Sequence, residues 1–163
     1  MIVLGIDPGL AIVGYGVVES VKGRVIPLDY GVINTPAGMR IPLRLQMIRK
    51  GLLSLFEKYK PEEIAVEELF FSSNKTTGIP VAEARGVILM TAIEYTEKLF
   101  EYTPNQIKQA ITGWGGADKK QMQEVVRQTL RLKSIPKPDD AADALAVALT
   151  HAQTSRFGGL FGM

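Results

Sequence analysis

Two stretches decide how this sequence reads. They are Leu4-Gly5-Ile6-Asp7-Pro8-Gly9 near the start and Asp140-Ala141-Ala142-Asp143-Ala144-Leu145-Ala146 near the end. The first closes a short apolar run, Ile2 to Asp7, with a turn-forming Asp-Pro-Gly, and so reads as a strand entering a tight turn. Ligand sites in α/β sheets lie beyond the carboxyl ends of strands, which makes Asp7 a candidate; an Asp that merely shapes the turn fits equally well. The second stretch is helical, and its two acids, three residues apart, share a face. Like charges there are unfavourable unless something binds them. The helix dipole explains acids in a first turn, which accounts for Asp139 and Asp140 better than for Asp143, one turn further in. The alanines between them let such a helix approach a sheet closely.

Working outward, Ile12 to Ser20 and Arg24 to Thr35 read as two more strands joined by a turn at Lys22-Gly23. Pro42 to Tyr59 carries Leu45, Ile48, Leu52, Leu55, Phe56 and Tyr59 on one stripe, an amphipathic helix that Pro61 ends. Glu63 to Leu69 is a strand, Phe70 to Pro80 a polar loop, and Val81 to Glu97 a helix apolar on more than one face. Phe100 to Tyr102 is a short last strand. Thr103-Pro104-Asn105-Gln106 and Asp118-x-x-Gln121 are capping-box starts of two further helices. Gly113 to Gly116 is a loop, and Asp139 to about Thr154 is the final helix. This order predicts an α/β sandwich around a mixed five-stranded sheet: an antiparallel meander of three strands, then two strands joined by helical crossovers and parallel to the first. The expected organisation is one domain, residues 1–155, with a short flexible tail, 156–163.

The 163 residues are 46% hydrophobic and 22% charged, enough for one ordinary globular core. There is no cysteine and one histidine, His151. That excludes disulfides, thiolate zinc sites, thiol nucleophiles and His-rich metal sites. No Gly-x-Ser-x-Gly elbow is present. Chemistry must rest on carboxylates, lysines or hydroxyls. The start lacks the basic region of a signal peptide and no apolar run has membrane-spanning length, so the expected place is the cytoplasm, with no membrane partner. Net charge is +2, but Pro104 to Lys137 holds seven Lys/Arg against two acids, a net +5 that leaves −3 for the remainder. A basic third beside an acidic remainder suits a cation site framed by a phosphate-binding surface, although a solvated helix face has the same pattern.

Glu67 and Glu68 interrupt an otherwise apolar strand. Neighbouring strand residues face opposite sides, so the two cannot share a role, and pattern alone does not choose between them. If one of them met Asp7, Asp140 and Asp143, each pair of carboxylates about 4 Å apart would repel by roughly 4 kcal/mol at an effective dielectric of 20. Two divalent cations would balance four such charges. Oxygen ligands suit Mg²⁺ or Mn²⁺, and a pair of these ions is the clamp used in phosphodiester hydrolysis.

The residues at this point match a known family. Leu4 to Gly9, Ala65-Val66-Glu67, Ala84-Arg85-Gly86-Val87, Phe100-Glu101-Tyr102 and Asp140 to Ala146, in that order and spacing, resemble the RuvC Holliday-junction resolvases, from Met1 to about His151. The resemblance implies a ribonuclease-H-like fold, a homodimer and divalent-metal catalysis with two Mg²⁺ per subunit, or Mn²⁺. It implies that Asp7, Glu67, Asp140 and Asp143 are the catalytic, metal-holding acids, which selects Glu67 over Glu68. It carries the two basic residues near the scissile phosphate onto Lys108 and Lys119. The implied reaction is hydrolysis that nicks a four-way DNA junction in symmetric pairs, leaving 5′-phosphate and 3′-hydroxyl ends. The implied partner, besides DNA, is a branch-migration helicase complex of the RuvA and RuvB type.

Further DNA contacts are expected from the residues themselves. Lys119 and Lys120 sit at a helix start, where cations are unfavourable and a phosphate would gain from both the lysines and the free N–H groups. Phe70, beside the polar Ser72-Ser73-Asn74-Lys75, can stack on an unpaired base, and the resemblance places an aromatic there at the junction centre. Phe71 reads as a core cap. Trp114 in its glycine-rich loop is either functional or a loop anchor. Arg85, inside an apolar helix, is expected to pair with an acid. His151 shares a face with Asp143 but lies about 12 Å further along, and reads as structural. The competing readings are a sugar-kinase-like ATPase, for which the chain lacks a second lobe, a silent junction-binding protein, and a nuclease acting on RNA–DNA hybrids.

Overall fold

The computed structural model describes residues 1–69 and 75–155. Five strands and five helices follow one another as β1 (Ile2–Asp7), β2 (Ile12–Val21), β3 (Arg24–Asn34), α1 (Ile41–Tyr59), β4 (Glu63–Glu67), α2 (Lys75–Tyr95), β5 (Leu99–Tyr102), α3 (Pro104–Thr112), α4 (Lys119–Thr129) and α5 (Asp139–Thr154). The sheet order is β3-β2-β1-β4-β5. β1 to β3 form the antiparallel meander, and β4 and β5 run parallel to β1, as the connection lengths require.

Alternation along the strands builds a core on each side. Leu4, Ile6, Ile64 and Val66 face α1 and α2, where they meet Ile48, Leu52, Phe56 and Ile88. Val3 and Ala65 face the other way, onto Leu145 and Leu149 of α5 and Ile107, Ile111 and Val126 of α3 and α4. This parity puts Gly5, Asp7, Glu63 and Glu67 on the α5 side.

α5 lies unusually close to the sheet because three strand residues have no side chain. A Cβ on Gly5 would stand 2.3 Å from the Ala144 carbonyl oxygen, one on Gly16 2.8 Å from the Leu145 Cα, and one on Gly14 2.0 Å from the Asp140 carbonyl oxygen. Small residues face small residues: Ala141, Ala144 and Ala148 are completely buried beneath the helix.

Three boundaries differ from the sequence reading by two residues or more. β4 stops at Glu67, and the Glu68 N–H bonds the Tyr102 carbonyl at the sheet edge (2.8 Å). α2 begins at Lys75 rather than Val81, so the helix includes Pro80. Proline there removes one bond, to the carbonyl four residues back, in the second turn; the apolar residues that follow outweigh that local loss. The same helix ends at Tyr95, two residues short of Glu97. Both predicted capping boxes form, Thr103 with Gln106 and Asp118 with Gln121. Among the described residues no helix is long and apolar enough to cross a membrane.

Candidate active site

The carboxyl ends of β1 and β4 lie side by side, because Ile6 pairs with Val66 and the next residues are Asp7 and Glu67. Both point to the α5 side. Close packing on Gly14 and Gly16 brings the first turns of α5, with Asp140 and Asp143, over those strand ends. Asp7, Glu67, Asp140 and Asp143 thus act on one another electrostatically, although they are far apart in sequence.

Burial, then the charges of Glu67 and Asp143, push the Asp7 carboxyl up to about 9. Asp7 and Glu67 hydrogen-bond each other, so one proton is held between them. Burial also raises Glu67, while the bond from Asp7 opposes the rise. Burial raises Asp143, and Lys119 opposes it. Lys119 reaches from the first residue of α4 to Asp139 (3.4 Å) and Asp143 (3.6 Å). Partial burial works against its charge, but those two carboxylates raise its pKa overall. Among the described residues no three metal-ligating side chains already close round a common point: Asp7 and Glu67 are engaged with each other, and Asp143 with Lys119.

A cleft of about 280 Å³ opens on this group, lined by Glu67, Asp143, Lys108, Lys119, Pro104, Ile107, Ala117 and Met122. Lys108 and Lys119 therefore flank the carboxylates. Lys120 points elsewhere, into a neighbouring groove with Trp114. Phe70 lies outside the described residues, as does the tail 156–163. Arg85 pairs with Glu101, the acid partner expected for it.

His151 belongs to a separate buried network. It is 1% exposed. Its Nδ1 lies 2.7 Å from the Tyr102 hydroxyl and its Nε2 2.5 Å from Glu63, which fits a neutral ring that accepts from the tyrosine and donates to the carboxylate. Burial lowers its pKa and Glu63 opposes that. A depressed histidine pKa means that the unfolded chain takes up the proton first. Its contribution to stability is complete above about pH 6.5 and declines as pH falls through the lower folded value. Denaturant unfolding of wild type and His151→Gln should therefore differ by about 2 kcal/mol at pH 7.5 and by less at pH 5. A difference that does not change with pH would show that the ring is not buried neutral. The sequence marked His151 only as structural; its partners Tyr102 and Glu63 carried no signal, because they join it from strands 49 and 88 positions away.

Residues 3–151 match the family described as crossover junction endodeoxyribonuclease RuvC. The chain is 54% identical over 157 residues to the crossover junction endodeoxyribonuclease RuvC of Brevibacillus brevis, covering 96% of this chain and 95% of that one. In structure it is similar to Thermus thermophilus RuvC, with a TM-score of 0.89, 38% identity and 97% of each chain covered. It is likewise similar to T. thermophilus RuvC in complex with Holliday junction substrate, with a TM-score of 0.88, 35% identity and 97% of each chain covered.

Proposed function

The chain belongs to the crossover junction endodeoxyribonuclease RuvC family, and from that premise we propose that it is a homodimeric, divalent-metal-dependent nuclease that resolves four-way DNA junctions by paired symmetric nicks. The observation that carries the mechanism is the buried Asp7–Glu67 pair beside Asp143, in which burial and the neighbouring carboxylates push the Asp7 carboxyl up to about 9. A divalent cation bound there would offset the crowded negative charge and displace that proton to solvent. The donor set is all oxygen, which fits Mg²⁺ and, in its place, Mn²⁺. Asp7, Glu67, Asp140 and Asp143 would hold two such ions.

Such ions, if bound, would supply Lewis acidity, which would lower the pKa of a water and offset charge on the phosphate. The remaining work falls to the chain. Lys108 and Lys119, on the cleft wall, neutralise the phosphate that enters between them. Lys119, which pairs with Asp139 and Asp143 in the free protein, can swing to the substrate phosphate instead. The apolar wall of Pro104, Ile107, Ala117 and Met122 limits water around the scissile bond. Hydrolysis leaves a 5′-phosphate and a 3′-hydroxyl. Lys120 contacts the DNA backbone and Phe70 the unpaired centre of the junction.

The proposed dimer is supported by an unpartnered apolar face on α2. Ile79, Met90 and Ile93 are all strongly exposed there, with Glu83 and Gly86 on the same stripe. A glycine in mid-helix costs about 1 kcal/mol relative to alanine, and at Gly86 it clears space for another backbone. We assign residues 1–155 to one nuclease domain with a tail, 156–163. The proposed setting is the cytoplasm, in company with a RuvA- and RuvB-type helicase complex.

The test is cleavage of a supercoiled plasmid that extrudes a cruciform, beside linear duplex and an RNA–DNA hybrid, with Mg²⁺ or EDTA. A dimer cutting both strands in one encounter gives linear product directly, and EDTA abolishes it. Nicked circles alone would defeat the dimer; cutting of the hybrid in preference would defeat the substrate; junction binding without cutting would defeat the enzyme.

A further inference from the structure

The loop between α3 and α4 presents the only tryptophan of the chain to solvent. Trp114 is 60% exposed, yet the loop that carries it is held from several sides. Gly113, with φ 74°, closes α3 in the left-handed region that favours glycine. Gln109 donates to its carbonyl (3.1 Å). The Thr112 hydroxyl lies between the carbonyls of Lys108 (2.7 Å) and Trp114 (2.8 Å) and accepts the Trp114 N–H (3.1 Å). The indole rests on Gly116, where a Cβ would come within 2.7 Å of Cζ2 and 2.8 Å of Cε2. One side of the ring is thus supported by backbone and the other is open. A tryptophan that filled the core or anchored the loop would be buried; this one is held in place and displayed.

Its open side borders a groove of about 480 Å³ whose other walls include Lys120, Gln121, Val125 and Ala117. Ala117 also lines the carboxylate cleft, so cleft and groove share a wall, with Lys119 facing the first and Lys120 the second. The one acid in the groove, Glu124, is bound by Arg127 (2.6 Å) and Gln128 (3.0 Å). Among the described residues, what remains is a flat apolar face with one unengaged cation, Lys120, beside it. That combination fits one nucleotide, base on ring and phosphate on ammonium, better than it fits a duplex backbone, which needs a row of cations.

We infer that Trp114 and Lys120 form a nucleotide subsite next to the reacting phosphate, in which an unpaired base of the strand being cut stacks on the indole. The inference rests on the junction-nuclease reading and adds a contact that selects where, along the strand, the phosphate enters the cleft.

With one tryptophan, emission excited at the red edge of the absorption band, where the tyrosines do not absorb, reports on this residue alone. The experiment titrates Asp7→Asn protein, which binds without cutting, with a fluorophore-labelled four-way junction. DNA anisotropy and tryptophan emission are read together, and acrylamide quenching is measured before and after. Stacking predicts quenched emission and lower acrylamide access on binding. In an otherwise wild-type chain, Trp114→Ala should weaken junction binding about tenfold and spread the cut positions, Trp114→Phe should recover much of both, and the Tm should stay put. Lys120→Ala should reduce the salt dependence by about one phosphate contact. Binding by anisotropy with emission and quenching unchanged, or Trp114→Ala cutting at the same positions with unchanged affinity, overturns the subsite while leaving the junction reading intact. No anisotropy change with the junction overturns both.

Discussion

Asp7→Asn is expected to reduce junction cleavage by roughly 10³-fold or more, about 4 kcal/mol of transition-state stabilisation, while raising the thermal stability of the metal-free protein. The two effects share one cause. Asp7 is a carboxyl that the fold pushes up to about 9 by burial and by the charges of Glu67 and Asp143. A group whose folded pKa lies above its unfolded value supports the fold fully at pH below about 4 and loses that support as pH rises towards 9. At pH 8 the native state therefore carries a strained proton, or a strained charge. Asparagine keeps the shape and can donate to Glu67 as the protonated acid does, but has nothing to ionise. A gain of about 2 kcal/mol corresponds to a rise in Tm of roughly 4–8 °C for a chain of this size, larger at pH 8 than at pH 5. Mg²⁺ should offset that difference. It stabilises wild type more at pH 8 than at pH 6, because it competes with the proton, and stabilises Asp7→Asn little at either. Cleavage retained within tenfold would remove Asp7 from the proposed chemistry. A lower Tm at pH 8 would mean that Asp7 supports the fold rather than opposing it.

The arrangement behind this prediction was partly legible in the chain. The strand-turn signal at Ile2 to Gly9, the period of α1, and the capping boxes at Thr103 and Asp118 are local, and each appears where local rules put it. The mixed sheet followed from connection lengths. Pro80 shows the limit of a local rule: a breaker in the sequence is a minor defect when residues further along the helix, Ala84, Ile88 and Ala92, are fully buried. The choice between Glu67 and Glu68 is the more instructive case. Strand pattern said only that they face apart, and the resemblance made the selection. The physical ground is the register, with Ala65 packed beneath α5 so that Glu67 must share its side while Glu68 leaves the sheet. Register joins residues sixty positions apart and leaves no mark within the strand. Lys120 was legible as a phosphate contact at a helix start and Trp114 as a functional or anchoring residue of a glycine-rich loop, but nothing in the sequence joined them; their common groove arises from how α4 leaves the loop.

What the chain did not announce at all is the role of its strand glycines, and Gly5→Ala is expected to be among the most damaging single-methyl changes in the protein. The added carbon would sit 2.3 Å from the Ala144 carbonyl oxygen, 2.5 Å from the Ala148 nitrogen and 2.8 Å from the Ala148 Cβ. Two of these are backbone of a helix, so no flexible side chain can swing aside. α5 must lift by about 1 Å to restore ordinary contact distances. Overpacking of this kind costs about 1–3 kcal/mol, while the stiffer unfolded chain returns only about 0.4–1 kcal/mol. The net loss is about 1–2 kcal/mol, roughly 2–8 °C in Tm. The functional loss is larger than the structural one. α5 carries Asp140 and Asp143, whereas Asp7 and Glu67 ride on the sheet, so the shift opens the site between its two halves. A misplacement of about 1 Å costs on the order of 10²-fold in rate. Gly38→Ala is the control, because nothing stands within 4 Å of its added carbon, and it should match wild type in both Tm and cleavage. The decisive comparison is cleavage at a temperature where both variants remain folded. If Gly5→Ala loses stability but cuts normally once folded, α5 does not set the spacing of the carboxylates, and the four acids do not work as one site. If cleavage falls a hundredfold while folding persists, the bare glycine surface of the sheet is as much a part of the catalytic design as the acids it positions.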